Sequence, residues 1–89
     1  MRHFQASENL KDILSKLSKK DNGLYEQLMK KIDEVLTTSE VEHYKNLRYN
    51  MKNSKRVHVG HFVLVFQYDK IKDEILFDDF DHHDNVYKR

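Results

Sequence analysis

The periodicity of the apolar residues changes near residue 55, and this change limits the folds that the chain can adopt. Before it, apolar residues recur at the spacing of an amphipathic helix, and after it they alternate or run together, as in strands. A polar break at residues 21–23 divides the helical part in two, so we expect an antiparallel helical hairpin. The two stripes are Leu10, Ile13, Leu14 and Leu17, and then Leu24, Leu28, Ile32, Val35 and Leu36.

Three strand-like segments follow the hairpin. Val57 and Val59 alternate with polar residues, residues 62–66 form a near-continuous β-branched and aromatic run, and residues 74–80 make a further strand. Gly60 and a polar loop separate these segments, which favours an antiparallel meander with residues 62–66 in the central strand.

The expected fold class is therefore α+β. Residues 2–6 read as a short N-terminal strand, and Ser7 is a suitable N-cap for the first helix. We expect this strand and the two-helix hairpin to pack on one face of a three- to four-stranded antiparallel sheet, because neither helix can bury its apolar stripe alone. The opposite face should be more polar, and residues 1–89 should form a single domain.

Composition excludes several classes of protein. The 89 residues contain no cysteine, so neither a disulfide nor thiol chemistry is available. The first ten residues, MRHFQASENL, lack an apolar signal region, and no apolar run of 18 residues occurs. We therefore expect a cytoplasmic protein without a membrane partner.

Charge is distributed unevenly along the chain. Residues 43–61 carry five bases and no acid, whereas residues 69–85 carry seven acids and two bases. A segment with one sign of charge attracts a polyanion, although a solvated loop balanced by neighbouring acids would have the same composition. We expect nucleic acid to bind through residues 45–58, with Arg48, Lys52, Lys55 and Arg56 as the candidate phosphate contacts.

Histidine is the side chain that offers chemistry here. His58 and His61 flank the first turn of the sheet, and His82 and His83 follow the last strand, so strand pairing could bring the two groups together. Imidazole suits proton transfer near neutral pH, and two histidines with neighbouring cations could cleave RNA without metal. Adjacent strand residues point to opposite faces, so only one of His82 and His83 should reach the site. Tyr87 could stack on a base or pin the tail to the core.

Zinc binding is an alternative for the same residues. The histidines at 58 and 61 with His83, Asp81 or Asp84 supply nitrogen and oxygen donors. Their spacing matches no familiar ligand pattern, so we expect no metal site and no cofactor.

Four stretches, in this order, resemble the RelE/ParE superfamily of toxins from type II toxin–antitoxin systems, specifically its ribonuclease branch. They are FQASENLKDILSKL with LYEQLMKKIDEVL, then EHYKNLRYNMKNSKRVHVGHFVLVFQYDK, and then ILFDDFDHHDNVYKR. The resemblance covers most of the chain. It implies a first strand with a helical hairpin, a linker with two strands, and a last strand that leads into a catalytic tail.

The tail HHDNVY resembles the HRxxVY pattern of the family, which places His83 at the tail arginine and Tyr87 at the tail tyrosine. The arginine that the family carries early in its third strand is absent, since this chain has phenylalanine and valine at residues 62–63.

A histidine-bearing subgroup, the YafQ-like toxins, resembles this chain better. In that subgroup a histidine stands four residues before a C-terminal aromatic residue, as His83 does here. A histidine ends the second strand, as His58 does, and an acid begins the third, where this chain has His61. A linker histidine corresponds to His43.

The resemblance implies an endoribonuclease that cleaves ribosome-associated mRNA without metal and is neutralised by a cognate antitoxin. The implied roles are His83 as general acid, His58 or His61 as general base, Lys55 and Arg56 on phosphate with Arg48 and Lys52 nearby, and Tyr87 in stacking. Two alternatives remain open: a ParE-like toxin that binds DNA gyrase, and an inactive RelE-fold protein that only binds its antitoxin.

Overall fold

The structure is a computed structural model that describes residues 1–47 and 53–88. Its elements, in chain order, are β1 (His3–Ala6), α1 (Glu8–Lys20), α2 (Asn22–Thr37), a 3₁₀ turn (Val41–His43), β2 (Ser54–Val59), β3 (Phe62–Asp69), β4 (Glu74–His82) and α3 (His83–Lys88). Within the described residues, no helix combines the length and apolarity needed to cross a membrane.

Side-chain caps set the ends of the helical hairpin. Ser7 Oγ accepts a hydrogen bond from Leu10 N at 3.0 Å, so the predicted N-cap of α1 is confirmed. Asp21 ends α1 by donating its backbone N–H to Leu17 O, and its carboxylate caps α2 by accepting from Leu24 N at 3.1 Å. One residue therefore closes the first helix and opens the second, which makes the hairpin turn tight.

The sheet has the strand order β1-β4-β3-β2, so β3 lies in its interior as predicted. The β2–β3 and β3–β4 pairs are antiparallel, but β1 runs parallel to β4. The expectation of a purely antiparallel sheet is therefore wrong for its first strand. Helices α1 and α2 and strands β2 and β3 separate β1 from β4 along the chain. No tight turn therefore imposes an antiparallel direction on the β1–β4 pair.

The main core lies between the helical hairpin and one sheet face, as predicted. Leu28 and Val35 of α2 pack with Leu64, Phe66 and other fully buried side chains of the sheet. Burial of this apolar surface is the main term that stabilises a domain of this size.

The opposite face, which was expected to be the more polar one, contains a small apolar cluster. Val63 and Val65 of β3 are buried there, and Val86 of α3 covers them together with Leu47. The continuous apolar run at residues 62–66 has this cause, because a strand covered on both faces has no polar side to alternate. The predicted catalytic tail is thus a short helix, and the preceding strand extends to His82.

The segment that leads into β2 is tied to α2 and to β2 itself. The Tyr44 hydroxyl donates a hydrogen bond to a Glu34 carboxylate oxygen of α2. The pKa of the Tyr44 phenol is raised mainly by burial and secondly by this hydrogen bond. The same bond lowers the pKa of the Glu34 carboxyl. Arg56 N donates to Lys45 O at 2.9 Å, so the segment runs alongside β2 and fixes its outer edge.

Candidate active site

Two elements bring four candidate side chains together on the sheet face opposite the helical hairpin. Arg56 and His58 project from that face of β2, because alternate residues of a strand point the same way. His83 and Tyr87 stand four residues apart in α3, which places them on one side of that helix. Packing of Val86 on the buried valines of β3 holds α3 against the sheet. We refer to Arg56, His58, His83 and Tyr87 as the β2–α3 cluster.

The rings of the β2–α3 cluster lie side by side across this face, in the order His58, His83 and Tyr87. The His58 and His83 rings are inclined by 28° with centroids 5.8 Å apart, and the His83 and Tyr87 centroids are 4.7 Å apart. Half of the His83 side chain, 51%, is exposed, and Tyr87 is 37% exposed. His58 is exposed as well, so both histidines are accessible to a substrate that binds over this face.

Arg56 supplies the positive charge of the cluster. Its guanidinium carbon lies 5.5 Å from the Tyr87 ring centroid, and its Nη1 lies 3.5 Å from His58 Nε2. Within residues 1–47 and 53–88, Arg56 forms no ion pair and its buried Nε has no hydrogen-bond partner. With respect to these residues, the charge of Arg56 is not neutralised by a carboxylate, so it can act on an anion.

His61 and His82 form a separate pair. Their ring centroids are 6.4 Å apart, and the His82 ring also meets Phe62 edge-on at 5.6 Å. The link between His61 and the cluster is a backbone one, in which His83 N donates to His61 O at 2.9 Å. The structure therefore brings His83 to His58, and leaves the His61 side chain with His82.

The separation of His82 from His83 has a different cause from the one predicted. The two residues were expected to alternate along one strand, but β4 ends at His82 and α3 begins at His83. The chain changes direction between them, and this turn sends the two rings to different partners.

Lys55 lies away from the β2–α3 cluster. Its side chain is on the hairpin face, where its ammonium donates to Tyr44 O at 3.1 Å and to Asn46 Oδ1 at 3.3 Å, and the residue is only 9% exposed. A phosphate contact by Lys55 stays a prediction, but these bonds hold the ammonium on the face opposite Arg56. The other two predicted phosphate contacts, Arg48 and Lys52, lie outside the described residues.

His43, the expected linker histidine, also lies apart from the cluster. It is exposed, and its Nδ1 is 3.3 Å from a Glu40 carboxylate oxygen. Among the residues that the structure describes, no group of three histidine, aspartate or glutamate side chains is arranged to hold a metal ion.

Asp84 was not among the predicted catalytic residues, but it contacts one of them. Its Oδ1 lies 3.4 Å from His83 Nδ1. Its position next to the histidine pair is visible in the sequence, where it was considered only as a metal ligand.

Comparison with known proteins identifies the family. No family model matches the chain. A Methanocaldococcus jannaschii protein named as a RelE4 toxin is 43% identical over 90 residues, which span 100% of this chain and 94% of that protein. The chain belongs to the RelE family of toxins. The family predicted from the sequence is thus confirmed.

Solved structures share the RelE fold of this chain. A metal-bound toxin from Helicobacter pylori matches with a TM-score of 0.73 and 21% identity, over 96% of this chain and 98% of that one. A chain of the E. coli RelBE toxin–antitoxin complex matches with a TM-score of 0.70 and 22% identity, over 92% and 96%. At these identities the likeness concerns the fold alone.

Proposed function

We propose that this RelE-family toxin is an endoribonuclease that cleaves mRNA through attack by the 2′-hydroxyl, with histidines as acid and base. The observation that carries the proposal is the pairing of His58 with His83, whose ring centroids are 5.8 Å apart, beside Arg56, which forms no ion pair with the described residues. RNA cleavage of this kind needs a base, an acid and a cation close together, and the β2–α3 cluster contains one group suited to each.

The proposed reaction assigns one proton transfer to each histidine. His58 takes the proton of the 2′-hydroxyl as its oxygen attacks phosphorus, and His83 gives a proton to the 5′-oxygen as the phosphorus–oxygen bond breaks. The products are a 2′,3′-cyclic phosphate and a free 5′-hydroxyl. Between the two candidate bases His58 is preferred to His61, because the ring of His61 lies against His82 and not against His83.

Arg56 and Tyr87 are proposed to bind the RNA around the reacting phosphate. The Arg56 guanidinium would stabilise the charge that develops on the phosphoryl oxygens, in place of the family arginine missing from β3. The exposed Tyr87 ring offers a surface for a base, and stacking of this kind contributes about 1–3 kcal/mol per base.

The partners are proposed from relatives. The E. coli neighbour is the toxin of a complex with its antitoxin, which supports a cognate antitoxin for this chain as well. The assignment of ribosome-associated mRNA as the substrate follows from the family resemblance.

Cleavage of a defined RNA by the purified protein tests the proposal. We expect cyclic-phosphate products, activity that persists in a chelator, and resistance of an RNA that lacks the 2′-hydroxyl at the cut. His58→Ala and His83→Ala should each slow cleavage by about 10²–10⁴-fold with little change in RNA affinity. His82→Ala is the matched control and should cost much less.

Three results would contradict the mechanism: loss of activity in chelator alone, equal cleavage of the 2′-deoxy substrate, or full activity of the His83 variant. Absence of cleavage by the unaltered protein, with RNA binding retained, would favour a toxin that acts only by binding.

A further inference from the structure

The start of α3 places a carboxylate against the ring of His83. Asp84 Oδ1 lies 3.4 Å from His83 Nδ1, and Asp84 Oδ2 lies 3.8 Å from His82 Nδ1. The shorter of these two contacts is the one to His83. Catalytic hydrogen bonds are often long in a free enzyme and shorten when the substrate binds, so 3.4 Å is compatible with a functional contact.

The backbone around this carboxylate is held by two hydrogen bonds. His83 N donates to His61 O at 2.9 Å, and Asp84 N donates to His82 Nδ1 at 3.2 Å. Because His82 Nδ1 accepts this bond, it carries no hydrogen and cannot donate to the Asp84 carboxylate. Of the two neighbouring imidazoles, His83 is therefore the one whose Nδ1 is available to donate to Asp84.

We propose that Asp84 is a positioning residue for His83. When a histidine donates Nδ1–H to a carboxylate, Nε2 is the ring nitrogen that binds or releases the transferred proton. The hydrogen bond fixes both the tautomer and the orientation of the ring. His58 and Tyr87 face the remaining sides of the ring, so its rotation is limited on each side.

The consequence for catalysis rests on the function proposed above. As general acid, His83 would deliver the proton from Nε2 to the 5′-oxygen of the leaving nucleotide. The Asp84 carboxylate would stabilise the imidazolium before this transfer and hold the ring still during it. Asp84 itself touches neither RNA nor the transferred proton.

Nitrogen-15 NMR of the full chain, labelled at histidine and observed at a pH where the imidazoles are neutral, tests the positioning directly. We expect His83 in the Nδ1–H form in the unaltered protein and a shift toward the Nε2–H form in Asp84→Ala. Asp84→Asn keeps an acceptor oxygen and should retain the Nδ1–H form. Asp12→Ala is the control, because it removes one negative charge at an exposed position of α1. It should leave the tautomer of His83 unchanged.

Kinetics supply the second measurement. Asp84→Ala should lower kcat by about 10–100-fold with little change in KM for RNA, and Asp84→Asn should fall between it and the unaltered protein. An Nε2–H tautomer in the unaltered protein overturns the proposal. So does an Asp84→Ala variant that loses rate without a change of tautomer, because Asp84 would then be only structural. If the unaltered protein cleaves no RNA, the proposed function fails, and the NMR result alone still decides about Asp84.

Discussion

Lys55 and Arg56 are adjacent on β2 and lie on opposite faces of the sheet, so they form a matched pair of test positions. Arg56 belongs to the β2–α3 cluster, whereas the Lys55 ammonium is bonded to Tyr44 O and Asn46 Oδ1 on the hairpin face. Arg56→Gln and Lys55→Gln remove the same charge from the same strand. They therefore change the net charge equally and differ in the face that loses it.

The expected effects differ in kind. Arg56→Gln removes a donor from the developing charge on phosphorus, which typically costs about 10²–10³ in kcat, or roughly 3–4 kcal/mol. As a single phosphate contact, Arg56 should also contribute about 0.7 to the slope of log affinity against log salt on single-stranded RNA. Lys55→Gln should leave both quantities close to their original values and instead reduce stability by about 1 kcal/mol, because two hydrogen bonds of the ammonium are lost.

Single-turnover cleavage at saturating RNA measures the first effect, RNA titrations at several salt concentrations measure the second, and urea unfolding measures the third. Cleavage by Arg56→Gln at the original rate would refute the role of the arginine. Equal loss of cleavage in a folded Lys55→Gln variant would show that the site extends to the hairpin face.

Three further predictions concern the scaffold. Tyr44→Phe removes the hydrogen bond that lowers the pKa of the Glu34 carboxyl. The stabilisation from this bond is present above the pKa that Glu34 has in the unfolded chain, and it is lost as the pH falls through the lower pKa of Glu34 in the folded protein. Since Glu34 is half exposed, urea unfolding should show a loss of about 0.5–1 kcal/mol near neutral pH that disappears in acid; a pH-independent loss would contradict this. Gly60→Ala should cost about 1–2 kcal/mol of unfolding free energy, because φ is +62° there although no atom lies near the added methyl; an unchanged urea midpoint would argue against this conformation. Val86→Asp should release α3 and lower cleavage as far as His83→Ala does, while circular dichroism retains the sheet signal; active Val86→Asp would show that docking of α3 is dispensable.

Several features of the fold and site were predictable because they depend on local spacing. The apolar stripes determine the helical hairpin, and Ser7 marks the start of α1 through the cap that it forms. The separation of His83 and Tyr87 by four residues is also compatible with one side of a helix, although the sequence interpretation assigned no helix there. Even the division of Lys55 from Arg56 is contained in the alternation of a strand, although the sequence interpretation grouped both on phosphate.

Pairings between distant segments were decided by the tertiary structure. The direction of β1 depends on where the chain returns to the sheet, and no local pattern records that. His58 meets His83, and His61 meets His82, because the chain leaves β4 after His82 and turns into α3. That turn is favoured by the burial of Val86 on the far face of β3, a contact between segments more than 20 residues apart. The residue types at the site follow from the sequence, and their partners follow from this packing.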